Sequence, residues 1–492
     1  MEIAVRADCV LPGSLEALEH RVGLDLLWLN QPAKAWLPRT EVDGSLVLDV
    51  AVVGGGLCGL VTLAALKKIG IDNARAFDRA PAGLEGPWVT YARMETLRTR
   101  KEAAGPALGI PSLTFRAWFE TQFGQEAFDR MHLVPRALWM EYLVWYRRVL
   151  GLPVVNEAAV KALHFRDDGL VEVAYGGADG DRSVLARRVV IATGLDGLGA
   201  PSLPDVAARV PNRYVAHGAD LIDMQALAGQ RVAVVGAGAS AMDNAAAALE
   251  AGAGRVDIFV RRADIPRVDK FTGVGSQGMT HGYLGLPDAD KWTFMVEGER
   301  AQIPPPRHSV LRVSRHPNAF FHLGSPIDDL REEAGAVTIV TPKGEYVADK
   351  LIFATGFAVD FARRPEFAEL AGRIKLWADA YTPPVDMQHP GLATYPYLGQ
   401  SFEFLPKSDA DLVVSNVSCF AYPAVPTHGK ITSGIPSISD GATRLAQGLA
   451  RSIFVEDRQI HVDKFLAFDT PELLGDEWQD ADLNKDFHNV PA

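Results

Sequence analysis

The chain has 492 residues, 48% apolar and 22% charged, a globular balance with room for about two to four domains. Its net charge of -12 excludes nucleic acid as the main partner, because neutralising phosphates takes a basic face. Three scattered cysteines, Cys9, Cys58 and Cys419, form no C-x-x-C and suggest neither a disulfide framework nor a metal site.

The N-terminus carries Glu2, Arg6 and Asp8 where a secretory signal needs an apolar core, and no apolar run is long enough for a membrane span. A soluble cytoplasmic protein with no membrane partner is the expectation. Residues 1–45 are expected to be an accessory helical segment, with Ser14 as N-cap and Leu15, Leu18, Val22 and Leu29 at roughly helical spacing.

The apolar run Leu48–Val53 then enters Gly54-Gly55-Gly56-Leu57-Cys58-Gly59, a strand followed by the G-x-G-x-x-G pattern and a helix. In that pattern Gly54 allows the tight turn, Gly56 lets backbone approach a pyrophosphate and Gly59 packs helix on strand. A second short strand, Ala74–Phe77, ends in Asp78, at the offset of a carboxylate that holds a ribose hydroxyl. The loop beyond, with Trp88 and then Arg98, Arg100 and Lys101, passes the reactive end of such a cofactor, or is a solvated basic turn. Leu138, Tyr142, Trp145 and Val149 repeat at helical spacing and read as core.

Two near copies come next, Val189-Val190-Ile191-Ala192-Thr193-Gly194 and Leu351-Ile352-Phe353-Ala354-Thr355-Gly356. Between them lies a second nucleotide signature, Arg231–Val235 leading into Gly236-Ala237-Gly238-Ala239-Ser240-Ala241. Its next strand ends in Arg261-Arg262. An acid repels a ribose 2'-phosphate, whereas a guanidinium pairs with it, so two dinucleotides are implied, the second carrying the extra phosphate. His281, His308, His316 and His322 lack metal-type pairing and read as hydrogen-bonded structural residues. The stretch Phe420–Lys430, with His428, precedes Gly434 and a helix beginning near Asp440, whose N-terminus favours negative charge.

Two nucleotide folds, the second inserted between two Ala-Thr-Gly strand ends of the first, resemble the class B flavin-dependent monooxygenases, which include flavin-containing N/S-monooxygenases, Baeyer-Villiger monooxygenases and microbial N-hydroxylases. The likeness runs over roughly residues 46 to 455 and rests on Gly54–Gly59, Gly236–Ala241 and Phe353–Phe357 with Asp360. It implies an α/β fold of two Rossmann-like domains, the NADPH domain inserted in the FAD domain. The implied boundaries are 46–205 and 345–455 for the FAD domain, 206–344 for the NADPH domain and 456–492 for a tail. FAD is assigned to Gly54, Gly56, Gly59 and Asp78, and NADPH to Gly236, Gly238, Ser240, Ala241, Arg261 and Arg262. Arg79, Trp88, Thr193, Gly194, Thr355, Gly356 and Gly434 complete the expected cofactor contacts.

The family's Phe-x-Gly-x-x-x-His fingerprint is incomplete: His217 is present, but Pro211 and Arg213 occupy the earlier positions. The resemblance implies hydride transfer from NADPH to FAD and a flavin hydroperoxide that oxygenates a small molecule with molecular oxygen. Nitrogen or sulfur is the expected target, and Arg98, His428 and Lys430 are the catalytic candidates, suited to a small carboxylate-bearing amine. Baeyer-Villiger oxygenation of a ketone and an NADPH-dependent flavin reductase or oxidase remain alternatives, and the oligomeric state is left open.

Overall fold

The computed structural model describes residues 12–177, 180–432 and 434–480. Glu2, Arg6, Asp8, Cys9 and Ser433 lie outside them, so the expectations placed on the N-terminal charges fall outside the described residues. Two compact units divide the chain, one ending at Gly448 and one beginning at Leu449. The second contains the helix Arg458–Ala467 and an exposed stretch beyond it.

The first unit is built on two sheets. In the larger, the strand order is Val154–Val155, Ala74–Phe77, Ser45–Val53, Gly180–Ile191, Val171–Gly177, Ala159–Phe165. Ser45–Val53 is its centre and is buried from Val47 onward, because parallel neighbours on both sides and packing on both faces demand a continuous apolar run. The second sheet is parallel throughout, in the order Val215–His217, Lys350–Phe353, Arg231–Val235, Arg255–Phe259, Ala319–His322. The chain leaves the first sheet at Ile191 and returns to it at Val417–Cys419, which pairs with Gly180–Ile191. The insertion of one nucleotide fold within another is therefore present.

One expected boundary moves. Lys350–Phe353, the strand before the second Ala-Thr-Gly, belongs to the second sheet beside Arg231–Val235, so the second fold extends past residue 344. The two Ala-Thr-Gly turns are equivalent positions in two folds, not two ends of one, because each glycine loop needs a neighbouring strand end against its first glycine.

The accessory helix forms at Leu15–Trp28, with the Ser14 hydroxyl accepting from Ala17 N at 3.1 Å and Leu18 and Val22 buried, whereas Leu29 is exposed. Trp139, Tyr142 and Trp145 on Arg136–Val149 are core, packed with Phe115 and Trp118. Among the described residues no helix is long and apolar enough to cross a membrane.

Candidate functional site

The first glycine loop is held by backbone close contacts. Gly54 has φ +108°, and a Cβ there would lie 2.7 Å from the Ala192 carbonyl oxygen. A Cβ on Gly59 would overlap the Gly54 carbonyl, so the helix Leu57–Lys68 lies directly on the turn. Gly56 is different: a Cβ there meets nothing nearer than 3.9 Å, which leaves the approach to the helix open. That helix has no side-chain N-cap and no acid in its first turn, so its leading N–H groups are available to an anion. A cleft of about 370 Å³ runs along Gly55 and Gly56, walled by Leu143, Arg147 and the buried Glu85. These features fit one dinucleotide.

Asp78 follows the strand Ala74–Phe77 directly. Its Oδ2 accepts from Gly55 N at 2.7 Å and its Oδ1 from Ala80 N at 2.8 Å, so the carboxylate also pins the loop. Arg79 is exposed and 4.0 Å from Asp196. The Trp88 ring stands edge-on to Trp139, and its carbonyl accepts from Arg136. Thr193 Oγ1 donates to Gly197 O at 2.9 Å, and the Gly194 carbonyl accepts from Tyr422 N at 3.1 Å.

The second loop repeats the first. Gly236 has φ +142°, and its Cβ would lie 2.7 Å from Ala354 O. Gly236 N donates to Phe259 O at 3.0 Å as Gly54 N donates to Phe77 O at 2.8 Å. Gly238 is open, caps nothing with a side chain, and precedes Ala239–Glu250, where Ala241 takes the place of Gly59. Ser240 Oγ is 3.3 Å from Asn244 Nδ2. Thr355, which donates to the Ser202 carbonyl, and Gly356, at φ +82°, belong to this second cradle.

The equivalence corrects the expected alignment of the strand ends. Asp78 N donates to Val155 O and Val260 N to His322 O, both at 2.9 Å, so Val260 stands opposite Asp78 and Arg261 opposite Arg79. Arg261 is exposed. Arg262 is engaged elsewhere: its guanidinium donates to Arg300 O at 2.7 Å and Glu299 O at 3.4 Å, in the last turn of Asp288–Ala301.

A third group of side chains gathers around Phe271. Arg98 lies 3.8 Å from Asp269, and Lys430 Nζ is 3.6 Å from the Phe271 ring centroid. Phe271 packs on Gly298, where a Cβ would come within 2.5 Å of it, and the next residue on that helix is Glu299. The Tyr422 ring, anchored through its backbone to Gly194, is 6.4 Å from Tyr395 in an edge contact. Among the described residues neither hydroxyl has a hydrogen-bond partner within the protein, and neither oxygen is fully buried.

Burial pushes the Tyr422 phenol up to about 12, with the Glu299 charge adding to it, and Tyr395 rises further for the same reasons plus the neighbouring Tyr422. Burial holds Lys430 below its usual value, with Asp269 opposing and Arg98 reinforcing that shift. Cys58 Sγ donates to Thr432 O at 3.4 Å, which holds Thr432 against the helix of the first cradle. Gly434 itself precedes the turn Ile435–Ser437, and the following helix begins at Ile438.

His428 is not part of this group. It is fully buried and stacked on Phe402 at 3.8 Å; Nε2 lies 2.9 Å from Gly399 O, and Nδ1 3.4 Å from Arg444. Burial, reinforced by Arg444, lowers its pKa to about 3, so it remains a neutral packing residue. Of the three catalytic candidates, Arg98 and Lys430 come together and His428 does not. Glu299, Tyr395, Phe271 and Asp269 were missed, since no motif or spacing links them; Tyr422 lay in a noted stretch without being singled out.

The pyridine nucleotide-disulphide oxidoreductase family matches residues 51–272. A FAD-dependent urate hydroxylase of Xanthomonas campestris pv. campestris is 38% identical over 468 residues, covering 94% of this chain and 98% of its own. Among solved structures, an ornithine hydroxylase of Pseudomonas aeruginosa superposes with a TM-score of 0.65 at 15% identity, covering 83% of this chain and 100% of its own. An ornithine N-hydroxylase of Kutzneria sp. 744 superposes with a TM-score of 0.63 at 17% identity, covering 82% and 99%. At such identities these two likenesses speak to the fold alone.

Proposed function

Because the chain belongs to the family of the FAD-dependent urate hydroxylase, within the class B flavin-dependent monooxygenases, we propose that it hydroxylates a small planar anionic nitrogen heterocycle of the urate kind at the expense of NADPH. The enzyme is an oxidoreductase that works with FAD. When bound, FAD stores the reducing electrons and activates oxygen, which no side chain of the cluster can do.

The residues of the chain bind and orient. Gly54, Gly56 and Gly59 shape the FAD loop, and Asp78 ties that loop to the strand end. Gly236, Gly238 and Ala241 form the nicotinamide nucleotide cradle, with Arg261 the cation available to a 2'-phosphate. The observation that carries the substrate assignment is the cluster at Phe271. Lys430 and Arg98 supply positive charge to an anion or its carbonyl oxygens, and two open tyrosine hydroxyls supply directional hydrogen bonds.

A second reading is N-hydroxylation of a small amine. The Glu299 carboxylate favours it, since it suits an ammonium while the two cations hold a carboxylate. The test is NADPH oxidation, oxygen uptake and peroxide release measured with urate, L-ornithine, L-lysine and a cyclic ketone. Urate is expected to accelerate NADPH oxidation and to give hydroxylated product in step with oxygen consumed. Basal oxidation with urate, together with a hydroxylamine product from either amino acid, would replace the first reading by the second.

A further inference from the structure

We propose that Arg93 is a positioning residue that clasps the first nucleotide fold onto the second, and so sets the separation over which a hydride passes from the reduced nicotinamide to the flavin. The proposal rests on the two-nucleotide reading above and names the contact that holds one cradle against the other.

The segment 88–96 belongs to the first fold at both ends. Arg136, which opens the helix Arg136–Val149, donates through its guanidinium to Trp88 O and through its backbone to Glu95 O at 3.1 Å. The strand Thr96–Arg100 then pairs with Leu133–Pro135. Between these anchors Arg93 turns to the second fold. Its guanidinium donates to Tyr91 O at 2.8 Å, to Gly218 O at 2.9 Å and to Asp220 O at 2.7 Å. One planar fork on two carbonyls of the second fold fixes orientation as well as distance, which the single ammonium of a lysine does less well.

The turn that Arg93 holds is braced and lies on the second cradle. Asp220 Oδ2 accepts from His217 N at 2.7 Å, and Asp220 N donates to His217 O at 2.9 Å. Gly218 N donates to Phe353 O at 2.8 Å, and a Cβ on Gly218 would lie 2.8 Å from Ser240 Oγ and 3.0 Å from Asn244 Nδ2. Gly218 therefore rests directly on the first turns of Ala239–Glu250, the helix of the second cradle.

A buried arginine completes the clasp. Arg312 is 8% exposed and takes Glu250, at the end of that same helix, through both carboxylate oxygens at 2.8 and 2.6 Å. Its remaining nitrogen donates to Arg93 O at 3.1 Å, while Glu95 and Asp243 each lie 3.7 Å from its guanidinium. Arg93 thus joins the folds twice, as donor through its side chain and as acceptor through its backbone. All of these contacts involve a guanidinium, which makes them stronger than neutral pairs.

Hydride transfer oxidises the nicotinamide to its cation and reduces the flavin to its anion, both electrons moving with the hydride. It needs the reacting atoms about 3 to 3.5 Å apart, and a misplacement of about 1 Å costs about 100-fold in rate. A clasp on the turn beside the second cradle therefore acts on the rate of flavin reduction rather than on the affinity for either nucleotide.

The test is anaerobic stopped-flow reduction of the holoenzyme by NADPH in wild type, Arg93→Ala, Arg93→Lys and Arg209→Ala. The last removes an arginine paired with Asp329 inside the second fold and serves as control. Flavin content, the Kd for NADPH and hydrogen exchange of residues 91–94 and 217–220 are measured alongside. In Arg93→Ala the limiting reduction rate is expected to fall about 10- to 100-fold, with flavin content and Kd close to wild type and faster exchange in both segments. Arg93→Lys should lie between, and Arg209→Ala should match wild type. Where Arg93→Ala loses flavin, Arg93→Lys decides in the same way, by a slower limiting rate at full flavin content.

An unchanged limiting rate in the flavin-loaded Arg93 variants, unchanged exchange in both segments, or an equal loss in Arg209→Ala would overturn the proposal and leave the two-nucleotide reading standing. Wild-type flavin that neither NADPH nor NADH reduces would defeat the reading and the proposal together.

Discussion

The two nucleotide cradles use one backbone device and differ in the side chains at the end of the next strand. In both, a glycine of positive φ lies against the alanine carbonyl of an adjacent strand end, and a helix without a side-chain cap starts just beyond. At that next strand end the first cradle places Asp78, whose carboxylate takes the Gly55 N–H, and the second places the buried Val260 with the exposed Arg261 after it. The backbone therefore shapes the two cradles alike, and the side chains at the strand end are where they differ. The third glycine position shows the same separation: Gly59 admits no Cβ, while its counterpart is Ala241.

The sharpest way to break this comparison is to exchange those two residues. Gly59→Ala drives a Cβ into the Gly54 carbonyl, where only a backbone shift relieves it, at a cost of about 3 kcal/mol. Flavin-poor, pale protein is the expected outcome, read from the visible absorbance of the purified variant. Ala241→Gly should cost less than about 1 kcal/mol, as loss of a good helix former, and leave the KM for NADPH close to wild type. Equal flavin retention in Gly59→Ala and wild type would remove the distinction between the two helix starts.

A smaller effect is expected at the strand end. Arg261→Ala removes the exposed guanidinium opposite Arg79, and a lost charge-assisted contact to a 2'-phosphate is worth about 2 kcal/mol. The KM for NADPH should rise far more than that for NADH. Equal changes for both nucleotides would mean that Arg261 does not read the phosphate.

Both cradles were legible in the sequence because their requirement is stereochemical and local: a positive φ and a contact closer than a Cβ allows leave little choice but glycine at Gly54 and Gly236. The second Ala-Thr-Gly turn was recognised but given to the wrong sheet, since strand pairing is non-local and two parallel strands of similar composition carry no label of partner. The substrate cluster was only half visible. Arg98 and Lys430 stood out as cations in glycine- and proline-rich stretches, but Phe271, Glu299, Tyr395 and Tyr422 come from separate segments that only the tertiary fold brings together. His428 shared a stretch with Lys430 and was drawn into the site by proximity in sequence, yet its ring faces Phe402 and Arg444.

Arg262 gives the finest test of the comparison, because it adjoins Arg261 in sequence and serves a different part of the molecule. Its guanidinium is committed to the carbonyls of Arg300 and Glu299, two of the acceptors that a helix C-terminus leaves without intrahelical partners. Arg262→Ala should therefore leave the ratio of NADPH to NADH efficiency unchanged while uncapping Asp288–Ala301, at a cost of about 1 kcal/mol in stability. A shift in nucleotide preference as large as that of Arg261→Ala would instead mean that Arg262 leaves the helix when the nucleotide binds, making the two arginines a single phosphate clamp.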